Sequence, residues 1–407
     1  MTGETRQETY AALFKVAEFR ALWSTVALSR GGTQLARVAL AILAFQRTGS
    51  PVVTSLVYAL TLLPAIVGGS FLGGLADRYP RREVLVACAL SRAGLIALIA
   101  IPGIPLPVLC ALLFVVQLLD SPAKAAQMAL LPDLLPDRLY ALGVAAVTLT
   151  SQIVTLLAFA VGGALVGTLG PNNTLLLTAA SFVLMGLITK WRLRRRPAAR
   201  DDGRGTRNRG TGGGVRLILA SPPLRNLLAL ALLAGFYVVP DVLATPYAAE
   251  LGLGTTEIGL LMAAMPVGNL AGVYLFTRFV PPARRLRWMA PMAVASSLPL
   301  VFSELIPGFL PSLATWALVG LLSAYQVTAN TEFVRLVPHD RRGQALGVAS
   351  SLLVTAQGAG MLLSGLLADH VGVLRTLVLA GVVGCLVGLF PALGWRRARS
   401  RSMNVTV

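Results

Sequence analysis

Charge, and negative charge above all, is scarce in this chain of 407 residues: charged residues are 13% of the total, with 17 Asp and Glu against 35 Lys and Arg. Hydrophobic residues make up 56% and mean hydropathy is +0.74. A soluble domain carries about 25% charge, so this composition excludes one. Cysteine occurs three times and histidine twice. Cys88, Cys110 and Cys385 fall in apolar runs without paired spacing, which predicts packing residues and neither a disulfide framework nor a metal site. His339 and His370 stand alone at helix ends. No nucleophile–base pair, phosphate-cradling loop or nucleotide motif is legible, which argues against catalysis, a cofactor, or ATP as a driver. Residues 1–20 lack a short apolar core with a small-residue cleavage site, so the first span is expected to act as its own insertion signal.

What the chain has in abundance is apolar runs long enough to cross a bilayer, bounded by Pro, Gly or charge. Twelve can be counted, from about 22–46 to about 373–395, among them 83–103, 106–128, 225–248 and 308–334. Strand-like alternation is absent, so they read as helices: an all-α membrane protein. The net charge of +18 is a topology signal and no nucleic-acid footprint. With both termini cytoplasmic, 30 of the 35 basic residues fall in cytoplasmic loops and tails. A multi-pass protein of the cell membrane follows.

The sequence repeats itself at half its length. FRALW from Phe19 is echoed by LRNLL from Leu224, Arg81-Arg82 by Arg284-Arg285, and ALGVA from Ala141 by ALGVA from Ala345, at offsets of 205, 203 and 204. Two six-helix pseudo-symmetric halves are expected, 1–191 and 224–407, the second with a short cytoplasmic tail. Between them residues 192–223 form a basic, Gly- and Arg-rich cytoplasmic linker. Arg192 to Arg196 in this linker can attract anionic headgroups or simply set orientation, and the second reading is favoured.

Ionisable and strongly polar groups inside spans are costly and face protein or a water-filled cavity. They concentrate here in the first, fourth, seventh and tenth spans. Arg30, Gln34 and Arg37 share a helix face, as do Gln117, Asp120, Lys124 and Gln127. Tyr237, Asp241 and Thr245 form a third stripe beside the helix breakers Pro240 and Pro246, and the tenth span carries Tyr325, Gln326, Asn330 and Glu332. These residues are expected to line a polar substrate or coupling cavity. Arg37 and Asp241 differ by 204, the repeat offset, so an outward-side gate and a static ion pair are both open readings. Asp120, among Arg30 and Arg92, is expected to stay ionised as a counter-ion. Glu332 and Arg335 read as a helix-end pair. Asn172 opens a glycosylation-type triplet in a very short loop, where chance is the better reading.

The loop after the second span reads GGLADRYPRR, from Gly73 to Arg82. Its acid and arginines suit a tight turn that docks on helix termini, where unpaired backbone groups and partial charges collect. With the twelve spans, two halves and basic linker, it resembles the major facilitator superfamily, whose loop follows G-x-L-A-D-R-x-G-R-R. Gly73, Leu75, Ala76, Asp77, Arg78, Arg81 and Arg82 match, and Pro80 replaces a glycine. The resemblance implies that Gly73, Asp77, Arg78, Arg81 and Arg82 form a cytoplasmic gating motif. Asp120 to Ala145 and Leu336 to Val348 look like segments of the bacterial macrolide-efflux and enterobactin-exporter branch. That implies a secondary transporter, working as a monomer by alternating access, that exports a small amphipathic molecule in exchange for protons. The fifth-helix antiporter signature is only partly present: Gly162 and Gly163 match, but Ala158 and Phe159 stand where Gly-Pro belongs. Proton-coupled import of a metabolite and, more remotely, a membrane enzyme or lipid-handling protein are the alternatives.

Overall fold

The computed structural model describes residues 10–62, 64, 78–196, 212–338 and 341–404. Every regular element among the described residues is helical. In chain order these are α1 (Tyr10–Lys15), α2 (Ala17–Thr48), α3 (Pro51–Ala59), α4 (Arg81–Ile99), α5 (Leu106–Leu118), α6 (Asp120–Leu134) and α7 (Asp137–Arg192). They continue as α8 (Gly212–Ala220), α9 (Pro222–Leu232), α10 (Ala234–Tyr237), α11 (Val239–Glu250), α12 (Thr255–Phe279) and α13 (Pro282–Ala295). A 3-10 turn (Leu298–Phe302), α14 (Phe309–Ser323), α15 (Tyr325–Leu336), α16 (Arg342–Val371) and α17 (Val373–Asn404) complete the order.

Among the described residues seven helical stretches are long and apolar enough to cross a membrane, and one of these, Arg138–Arg192, has 55 residues. At about 1.5 Å per residue it is twice the length one crossing needs. It divides at Gly170, whose φ of 79° and ψ of 162° suit glycine alone, and Pro171 restarts the helix with φ already set. Two expected spans are thus joined by a two-residue corner. The first span, inside the 32-residue α2, and the third, inside α4, fall outside the seven because they carry arginines: Arg30 and Arg37 in one, Arg81, Arg82 and Arg92 in the other.

The chain forms two compact units, residues 1–40 with 60–205 and residues 41–59 with 206–407. In the first, α4 lies along α7 and packs on α5 and α6. Trp23 Nε1 donates to Thr150 Oγ1 at 2.7 Å, joining α2 to α7, and Asn172 Nδ2 donates to the carbonyl of Ala100 at 2.7 Å, closing the end of α4. That bond occupies Asn172, and Thr174 of the same triplet is buried. The basic run after α7 folds back on protein carboxylates. Arg196 meets Glu18 at 2.6 Å, and Arg195 meets Glu83 at 2.8 Å.

In the second unit α12 and α14 cross closely. A Cβ at Gly268, Gly272 or Gly320 would run into the backbone of Ala317, Leu321 or Met265 respectively, so only glycine admits this approach. Gly235 and Gly360 do the same for α10 and α16. Residues 41–59, which the repeat assigns to the N-terminal half, group with this unit because α3 packs on α16. Gly365 makes room for Ser55, and Ser50 Oγ donates to Asp369 Oδ2 at 3.3 Å. The three cysteines are free, and Cys385 Sγ donates to the carbonyl of Val294 at 3.3 Å.

Candidate functional site

Three of the four polar spans carry a local irregularity at one or two residues that keep right-handed helical angles, and each places polar residues just past it. The fourth is irregular at Leu119, so Asp120 opens α6. Pro122 lies three residues on and cannot donate to the carbonyl of Leu118. The seventh is irregular at Leu233 and Val238, before Pro240, and Asp241 sits in the first turn of α11. The tenth is irregular at Ala324 without a proline, and Tyr325 opens α15. Such irregular turns loosen the hydrogen-bond ladder locally and make room for polar side chains.

In the first unit the polar residues form one cluster around Asp120. Arg92 is 1% exposed and Asp120 5%. Arg92 Nη1 meets Asp120 Oδ1 at 3.0 Å, and Lys124 binds Oδ2 from the next turn of α6. Arg92 Nη2 donates to Thr33 Oγ1 at 3.0 Å, and its guanidinium lies over the Phe182 ring, 4.2 Å from the centroid. That stacking covers the face of the cation with an aromatic quadrupole. Arg30 belongs to the same electrostatic group, attracted by Asp120 and repelled by Arg37 and Arg92. Arg37 Nη2 donates to the carbonyl of Thr61 at 3.4 Å. Gln34 and Gln117 are buried.

The second unit holds a separate, uncharged cluster. The Gln326 amide donates to Tyr237 Oη, while Tyr325 Oη donates to the carbonyl of Leu230 at 2.7 Å. Both tyrosines are buried. A cavity of about 390 Å³ lies beside them, lined by Leu227, Ala231, Gln326, Asn330, Phe333 and Ser350 among others. Asp241 and Thr245 lie on α11, Thr245 buried. Glu332 and Arg335 pair at 3.8 Å near the end of α15.

Of the loop motif, Gly73 and Asp77 lie outside the described residues, as does His339 among the lone histidines. Arg78 is exposed. Arg81 binds Asp133 and donates to the carbonyl of Ala129 at 2.7 Å, so it grips the end of α6, where the helix dipole is negative. In the corresponding second-half pair, Arg285, the counterpart of Arg82, folds back on the helix before it, donating to Val280 O at 2.7 Å and Thr277 O at 2.5 Å. Thr33 and Phe182, which hold Arg92 in place, are not among the residues the sequence singled out. Thr33 carries a weak signal, beside Gln34 in a polar stretch; Phe182 carries none. Among the described residues no group of three or more His, Cys, Asp or Glu converges as a metal site.

Membrane-length helices, local irregularities beside their polar residues and buried charge are features of a polytopic membrane transporter. The sequence pattern of the Major Facilitator Superfamily matches residues 22–349, and the chain belongs to that family. The Multidrug efflux pump Tap of Mycolicibacterium fortuitum is 26% identical over 392 residues, 89% of this chain and 92% of that one. The protein of the same name from Mycobacterium tuberculosis (strain ATCC 25618 / H37Rv) is 28% identical over 399 residues, 90% and 91% of the two chains. Among solved structures, a bacterial homolog of the human lysosomal transporter Spinster, inward-facing and occupied, aligns with a TM-score of 0.70 at 14% identity. It covers 94% of this chain and 96% of that one. The POT family transporter PepTSo aligns with a TM-score of 0.74 at 12% identity, over 95% and 99%.

Proposed function

We propose that this transporter is a proton-driven exporter of small amphipathic molecules. The observation that carries the reading is the end-to-end similarity to two proteins named multidrug efflux pumps, each over about nine-tenths of both chains. The buried charges of α2, α4 and α6 support it, since ionisable groups kept at membrane depth mark substrate and ion pathways. Arg30, Gln34, Arg37, Gln117 and Asp120 form the part of the route in the first unit, and Tyr237, Asp241, Tyr325, Gln326 and Asn330 the part in the second. Gly73, Asp77, Arg78, Arg81 and Arg82 serve as the cytoplasmic gate. Arg81, anchored on Asp133 and α6, gives that loop a fixed point to work against. Both termini are cytoplasmic, and the monomer is the working unit.

The test is accumulation of a labelled drug panel in an efflux-deficient host, with and without a protonophore. The chain is expected to lower the steady-state level of at least one compound, and the protonophore to restore it. Unchanged accumulation across the panel contradicts export, while raised accumulation identifies the import alternative.

A further inference from the structure

The cluster around Asp120 has more hydrogen-bond donors and positive charge than its own acceptors can satisfy. Arg30, Arg92 and Lys124 meet a single carboxylate, Asp120. Leaving Arg37 aside, three cations and one anion give a net charge of +2 among the described residues of the cluster. Both oxygens of Asp120 are already taken, Oδ1 by Arg92 and Oδ2 by Lys124. Arg30 is half-buried and has no other carboxylate among its electrostatic partners. On the same helix as Lys124, Gln127 keeps a buried Nε2 donor with no hydrogen-bond partner. A half-buried cation without a carboxylate oxygen of its own and an orphaned buried amide donor are costly at membrane depth.

These groups differ in what they can reach. Arg92 is buried against Thr33 and Phe182 and pairs with Asp120, away from the accessible edge. The Lys124 side chain is 45% accessible, and Arg30 is partly open. A buried anchor pair thus holds an open, cationic edge. A second carboxylate would have neutralised that edge from within the protein, and the described residues supply none there.

We infer that Arg30 and Lys124 bind the anionic head, a carboxylate, sulfonate or phosphate, of an amphipathic substrate, with Gln127 adding a neutral donor. The inference rests on the transporter reading and narrows it: the cargo carries negative charge, and Asp120 is a fixed counter-ion that positions Lys124. An anion arriving at this edge gains charge-assisted hydrogen bonds from both cations. A cationic drug meets the net positive field and is rejected. The phosphate of an anionic lipid offers the same chemistry as a soluble anion, so the test separates the two.

The full chain is reconstituted in phosphatidylcholine nanodiscs, and binding of two dyes built on one xanthene ring is read by fluorescence anisotropy: carboxyfluorescein, an anion, and rhodamine 123, a cation. Carboxyfluorescein is expected to bind the tighter. Arg30→Gln and Lys124→Gln should each weaken it about tenfold or more, the scale of one hydrogen bond to a charged group. Arg30→Lys should recover part of the loss, while Arg375→Gln, whose side chain is 70% accessible and pairs with Glu304, should leave binding unchanged. Thermal unfolding of each variant is measured alongside; Arg30→Gln and Lys124→Gln proteins that melt with the wild type yet bind carboxyfluorescein equally well overturn the assignment. So does equal or tighter binding of rhodamine 123, or binding of neither dye. Loss of carboxyfluorescein binding on adding phosphatidylglycerol assigns the donors to lipid phosphate and overturns the substrate role. Because binding is read without transport, its failure is distinct from a failure of the export reading.

Discussion

Asp120 holds two cations at once, and the buried one has little else to neutralise it. Arg92 is 1% exposed, so replacing Asp120 by a neutral amide leaves a charge that water cannot reach. Breaking a buried pair from one side costs about 3–5 kcal/mol, more than most single substitutions. Asp120→Asn should therefore lower the melting temperature of the detergent-purified chain, and Arg92→Leu combined with Asp120→Leu should recover much of the loss, because Lys124 is accessible enough to stay hydrated. An Asp120→Asn protein that melts with the wild type refutes the counter-ion role. The sequence makes half of this cluster legible: Asp120 and Lys124 stand one helical turn apart, and arginine inside a span announces itself. Thr33 and Phe182 are different. A threonine and a phenylalanine are ordinary in apolar helices, and only folding brings them from α2 and α7 to the faces of Arg92.

At the scale of helices, the irregularities of the fourth, seventh and tenth spans explain where the polar residues sit. Pro122 and Pro240 are readable causes of the first two; Ala324 has no such mark. The corner at Gly170-Pro171 shows the converse, two spans that composition separates but backbone geometry joins as one bent element. Close helix crossings have their own sequence trace, the Gly268 and Gly272 pair one turn apart facing α14. A Cβ at Gly268 would overlap the Ala317 backbone, which cannot move without shifting its helix. Gly268→Ala should cost about 1–3 kcal/mol, the usual range for overpacking, and appear as a lower melting temperature. The same change at Gly343, where a Cβ meets nothing within 4 Å, should be tolerated. Equal behaviour of the two would refute the packing argument.

For the whole molecule, the internal repeat identifies two halves, yet compactness draws the boundary elsewhere. Residues 41–59 leave the first sequence half for the second unit because Ser50 and Ser55 seat on α16, a contact no repeat offset announces. The family, too, was legible, because the loop from Gly73 to Arg82 carries a motif specific in both spacing and position. The cargo was not, since it depends on side chains that meet only in three dimensions. Arg37 and Asp241 occupy repeat-equivalent positions in different units, and of the two open readings of this pair, a static ion pair and an outward-side gate, the gate makes them partners during the transport cycle. Each single alanine variant should then cut export about tenfold or more, as loss of one member of a charge pair does, and the reciprocal exchange should restore part of it. Full activity in either alanine variant removes the gate.

Proton-driven export is tested most directly with the purified chain in liposomes that have an acidic interior and a neutral exterior, supplied outside with a compound identified by the drug panel. The compound should accumulate inside above its external concentration, alkalinise the interior as it enters, and leak back when a protonophore with a potassium ionophore collapses the gradient. Equilibration without accumulation, or accumulation that ignores the pH gradient, would contradict proton exchange as the driving step.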